Sequence, residues 1–169
     1  MRTNLKIVLF ILPLVFWSCS VKYSLTGASI SDETKTFQVN YFQNNSTLIE
    51  PGIDRDFTNK LIDLLINQTS LDLVKSNGDL LYEGEIVEYR ISPTTATANN
   101  TAAQNRLTIG VNVRFIDKSD SEAEFEKRFS FYYDYPGSSQ LIGSQKDTAI
   151  DEIFERITQD VFNASLAKW

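Results

Sequence analysis

The chain has 169 residues, enough for one ordinary domain, and its 22 acidic side chains outnumber 16 basic ones for a net charge of −6. An acidic surface repels phosphate backbones, which sets aside a general nucleic-acid binder. Histidine is absent and Cys19 is the one cysteine, so Ser–His and Cys–His catalysis and Cys/His zinc sites have no residues to draw on.

At the N-terminus, Arg2 and Lys6 precede an eleven-residue apolar run, Ile7 to Trp17, that gives way to Ser18-Cys19-Ser20. A charged n-region, a short h-region and a small-residue cleavage zone make a signal peptide. A spanning helix needs ~20 apolar residues, so the run is too short to stay in a membrane. Phe16-Trp17-Ser18-Cys19 resembles a lipobox, with small Ser18 before the cysteine, although Trp17 is bulky and Phe16 stands where leucine is usual. Residues 1–18 are therefore expected to be removed and Cys19 to be acylated. One acyl chain binds a membrane only weakly, with K on the order of 10⁴ M⁻¹; lipobox processing places several on the same cysteine. Loss of Arg2 and Lys6 would take the net charge to −8. An acylated Cys19 leaves no thiol for a disulfide.

Residues 19–34 are small and polar and read as a lipidated tether, leaving 35–169 as a single domain. Phe37, Val39 and Tyr41 alternate with polar positions, which predicts a strand. Asn44 to Gly52 reads as a loop. Ile53, Phe57, Leu61, Leu64 and Leu65 then trace the apolar stripe of a helix over 53–67, with Asp54 and Asp56 suiting the positive end of its dipole. Leu71 to Val74 is a short strand and 76–79 a turn.

Leu80 to Ile91 alternates, but its apolar parity changes from even (Leu80, Tyr82, Ile86) to odd (Val87, Tyr89, Ile91), and with Gly84 nearby a bulge or sharp twist is expected there. Leu107, Ile109, Val111, Val113 and Phe115 make the clearest strand. Phe125, Phe129, Phe131 and Tyr133 make the last. The link 92–105 is long for a hairpin and holds no large apolar residue. Ile150, Ile153, Phe154, Ile157 and Val161 mark a closing helix over 144–168, with Asp147, Asp151 and Glu152 early and Lys168 late. The order β-α-β-β-β-β-α predicts an α+β fold: a two-layer sandwich in which two helices cover one face of a mixed four- to five-stranded sheet.

An ordered set of segments resembles the LptE family of lipopolysaccharide-assembly lipoproteins, in its Bacteroidetes-like form. The set begins with the lipobox cysteine and Tyr23-Ser24-Leu25-Thr26-Gly27-Ala28-Ser29-Ile30. It continues through Val39-Asn40-Tyr41-Phe42, Gln68-Thr69-Ser70-Leu71, Gly78-Asp79-Leu80, Glu83-Gly84-Glu85-Ile86 and Asn105-Arg106-Leu107-Thr108-Ile109. Phe162-Asn163-Ala164 and Trp169 close it. The resemblance implies an outer-membrane lipoprotein of two-helix α+β fold that partners and plugs the LptD β-barrel and contacts lipopolysaccharide during its delivery to the outer leaflet. It implies no catalysis and no cofactor. No acidic run follows Cys19, which favours a domain facing the periplasm; the resemblance implies that it can also lie within a barrel lumen.

Lipopolysaccharide presents phosphates, which guanidinium forks suit. Strand parity aims Arg90, Arg106, Arg114 and Arg128 away from the helices, a candidate anionic-ligand patch. The bland reading pairs them with Glu83, Glu85 and Glu126 in solvent. Glu83 and Glu85 share a strand face, more simply solvated than catalytic. Asp147-Thr148-Ala149 resembles an O-glycosylation motif but more simply caps a helix. Tyr132, Tyr133 and Tyr135 suit a partner surface or a core edge equally. A different class of function stays open beside the assembly subunit: a periplasm-facing lipid carrier acting without a barrel, which would need an apolar cavity between sheet and helices.

Overall fold

The computed structural model describes residues 30–94, 104–137 and 139–167. The expected signal peptide, Cys19, most of the tether and the middle of the 92–105 link lie outside the described residues. Within them the order is β1 (Thr36–Val39), β2 (Gln43–Asn44), α1 (Ile53–Gln68), β3 (Asp72–Leu73), β4 (Leu80–Thr94), β5 (Gln104–Asp117), a 3₁₀ turn (Ser121–Ala123), β6 (Phe125–Pro136) and α2 (Gly143–Leu166).

The sheet runs β3-β1-β4-β5-β6, and β2 extends the edge of β4 beyond β1. β1 pairs in parallel with β3 and β4, and β2 in parallel with β4. β4, β5 and β6 form an antiparallel meander. The fold is thus α+β with a mixed, open six-stranded sheet. The strand beyond the expected number is β2, two residues long, a length at which periodicity gives no signal. β1 also ends at Val39, and Tyr41 lies more than half exposed past it.

Burial follows the alternation. On β5 the side chains of Leu107, Ile109, Val111, Val113 and Phe115 are all fully buried, and the even positions between them face the helix-free side. On β4 the buried positions are Leu80, Tyr82 and Ile86, then Tyr89. The parity change falls between Ile86 and Glu88, where Val87 is the bulged residue, and not at Gly84. Gly84 has another task. A Cβ there would lie 2.0 Å from the Asn112 carbonyl oxygen and 2.8 Å from the Phe42 ring, so only glycine lets β4 approach β5 at that point.

The two helices pack on each other over the buried face. Phe57 of α1 meets Phe42 and Phe154 of α2 edge-on, at 5.1 and 5.2 Å between centroids, the geometry the ring quadrupoles favour. α2 starts at Gly143, one turn before Asp147. Asp147-Thr148-Ala149 therefore lies inside the helix and caps nothing, and no acidic side chain occupies the first turn.

Candidate functional site

Register places all four arginines on the helix-free face. Arg106 and Arg114 occupy even positions of β5, Arg90 pairs across with Thr108, and Arg128 pairs with Asn112. They do not form one patch. Each guanidinium meets a carboxylate, and the face divides into two halves of different chemistry.

The half beside β1 and β2 is a polar groove of about 470 Å³ lined by Asn40, Tyr41, Gln43, Asn45, Glu83, Glu85, Asn112, Arg114 and Glu126, among others. Arg114 donates to Glu83 at 3.3 Å and lies opposite Glu126 in the ladder. Asn40 holds the other oxygen of Glu83 and Asn45 holds Glu85. Three carboxylates outnumber the one cation, so this half suits no anion. The Glu83–Glu85 pair is tied up in ordinary polar contacts.

The other half holds the surplus of positive charge. Glu88, half-buried and just past the bulge, accepts from Arg90 at 2.8 Å and from Arg128 as well, so two guanidiniums share one carboxylate. Next to them, Arg106 forks onto Asp134 at 2.7 and 2.8 Å and lies 3.6 Å over the Tyr132 ring. The fork draws the Asp134 carboxyl below its ordinary range. It also holds the Arg106 pKa up.

A cavity of about 550 Å³ opens against Arg90 and Arg128, where β4 runs past β2. Thr47, Leu48, Val87, Glu88, Tyr89 and Ile91 complete its wall. Leu48 and Ile91 in this wall are exposed at 51 and 42 %, an apolar rim beside a cationic pair. Burial first, and then the nearby Glu50 carboxylate, pushes the Tyr89 hydroxyl up to about 12. Glu50 in turn anchors the 45–52 loop to α2 by accepting from Lys146 at 2.7 Å.

Strand parity found the face of the arginines, but their partners are largely others than expected. Glu83 takes Arg114 as anticipated, while Glu88 and Asp134 take the other three and Glu85 takes none. Sequence reasoning missed Glu88 because the bulge residue decides which way it faces. It also missed the apolar rim, for which Leu48-Ile49 in an otherwise polar loop was the available signal.

This sheet, open on one face and closed by two helices on the other, defines a small two-layer α+β domain with a polar, unevenly charged outer surface. The family model for lipopolysaccharide assembly, LptE, matches residues 34–165, and the chain belongs to that family, one of non-enzymatic outer-membrane lipoproteins. Its fold resembles the hypothetical protein CT253 of Chlamydia trachomatis, with TM-score 0.53 and 12% identity over 80% of this chain and 99% of that one. A minor lipoprotein from Acinetobacter baumannii aligns with TM-score 0.48 and 12% identity over 78% and 98% of the two chains. The rare lipoprotein B of Shewanella oneidensis aligns with TM-score 0.39 and 12% identity over 75% and 89%. No curated protein matches the sequence.

Proposed function

We propose that this chain is the lipoprotein subunit of an LptD-like outer-membrane β-barrel. It is anchored by acylation of Cys19, plugs the barrel lumen, and offers the Arg90–Arg128 half of its open face to lipopolysaccharide. The single observation that carries the ligand part is the shared carboxylate. Two guanidiniums on Glu88 leave one positive charge uncompensated, and that charge borders an apolar cavity. Phosphate beside acyl chain is the chemistry such a site fits. Arg106 flanks it. Arg114, set among carboxylates, is left out of the binding set.

The carrier reading needs an apolar cavity between sheet and helices. That space is filled by Phe37, Phe57, Tyr82, Phe115 and Phe154, each 2 % exposed or less. The cavity that does exist opens at the sheet edge, where a ligand would be held in passing and not enclosed.

Titration of full-length protein in detergent with lipopolysaccharide tests the assignment. Both arginines are about half exposed, so screening limits each contact, and Arg90→Ala with Arg128→Ala should weaken binding about tenfold. Arg114→Ala should leave it unchanged. Equal losses from Arg114→Ala, or none from the double variant, would reject this site.

A further inference from the structure

β6 is the last strand of the sheet, and the register shows which of its main-chain groups remain open. The Asn40 and Asn45 N–H groups donate to the carbonyls of Tyr82 and Ile86, each at 2.8 Å. Even residues of β4 thus turn toward β1 and β2 there, while Glu83 and Glu85 turn toward β5. Their partners are Arg114 and Asn112. Val113 and Val111 must then turn toward β6, onto Lys127 and Phe129. Alternation leaves the N–H and C=O of Glu126, Arg128, Ser130, Tyr132 and Asp134 aimed out of the sheet. Among the described residues no hydrogen bond reaches those groups.

Natural sheet edges are normally blunted by charge, proline or a bulge. Glu126-Lys127-Arg128 guard the start of β6 and Pro136 its end, but Ser130 to Tyr133 has no charge, no proline and no break in register. The apolar layer is also cut short there. Phe131 and Tyr133 are only part-buried, while their cross-strand neighbours Ile109 and Leu107 are fully buried.

We propose that this edge receives one extended strand from the barrel partner, a step that rests on the barrel reading above. A second copy of this chain does not fit. α2 lies chiefly over β6 and reaches the edge, with the Arg156 guanidinium 5.7 Å from the Phe131 ring. Edge-to-edge pairing at a strand spacing of about 5 Å would bring a second α2 far inside the about 8–10 Å that packed helices need. A bare strand meets no such obstacle. Its chemistry is set by its neighbours. Apolar side chains at alternate positions cover Phe131 and Tyr133, and the intervening positions, beside Ser130 and Tyr132 on the outer face, are polar.

Ser130→Pro tests this, because it deletes an N–H that the chain's own ladder does not use. The full-length variant should melt within a few degrees of the unsubstituted protein, while recovery of the barrel with it from solubilised membranes falls about tenfold. Undiminished recovery overturns the edge proposal and leaves the barrel reading standing. No barrel recovered with the unsubstituted chain overturns the barrel reading itself. A photo-crosslinking phenylalanine analogue at positions 130 and 132 gives a second readout that leaves the backbone intact. An added strand places the two adducts on one barrel segment, two residues apart, whereas adducts on unrelated segments, or none, overturn the proposal.

Discussion

Asp79 ties the start of β1 to the turn before β4. Its Oδ2 accepts the main-chain N–H groups of Lys35 and Thr36 at 2.9 Å each and the Thr36 hydroxyl at 2.8 Å. Those bonds, led by the Lys35 amide, lower its pKa, as Arg106 lowers that of Asp134. A folded-state value below the unfolded value of about 3.9 means that protons favour the unfolded chain. The stabilisation is present above roughly pH 4 and disappears as pH falls through the folded values. Asp79→Asn should therefore melt lower at neutral pH and lose less on acidification, a comparison that thermal melts at pH 7 and pH 3.5, for example, would make. An unchanged acid dependence would contradict the role given to this carboxylate.

A second residue-scale prediction concerns Tyr82, whose buried hydroxyl donates to Ser165 Oγ at 2.9 Å. Ser165 Oγ also bonds the Val161 carbonyl at 2.9 Å, so Tyr82→Phe strands no charged group and should cost about 1 kcal/mol in chemical denaturation. Phe115→Ala, at a fully buried ring, should cost about 3–5 kcal/mol. At this scale the sequence was half legible. Alternation shows which way an arginine faces, but its partner depends on a neighbouring strand whose register one sequence does not disclose.

Among the elements, the longer strands and both helices were readable because each carries a sustained period, interrupted only in β4 by the bulge. β2 was too short to show one, and the bulge lies where the parity turns, after Ile86, and not at the nearby glycine, because glycine is only one cause of such a change. Two glycines separate these effects. Gly84→Ala drives a Cβ into the Asn112 carbonyl, a main-chain atom that cannot step aside, and should cost well over ~1 kcal/mol or prevent folding. Gly143 has φ +55° and open space around it, so Gly143→Ala carries only backbone strain, about 1 kcal/mol. Denaturation of both variants checks the contrast. Similar losses would show that β4–β5 contact is looser at Gly84 than the geometry requires.

For the whole molecule, the meander and its two helices build a domain whose inner face is packed up to the β6 edge and whose outer face carries charge unevenly. The fold class was legible from element order, and the family from an ordered set of short segments. The functional asymmetry was not, since it arises from Val87 turning Glu88 toward Arg90 and Arg128 together. The central claim is that this lipoprotein works as the subunit of a barrel. It is tested most directly by purifying the C-terminally tagged, full-length protein from solubilised outer membranes and quantifying what accompanies it. The account predicts one large β-barrel in near-equal amount. Recovery of the lipoprotein alone, under conditions that keep a known barrel complex intact, would contradict it.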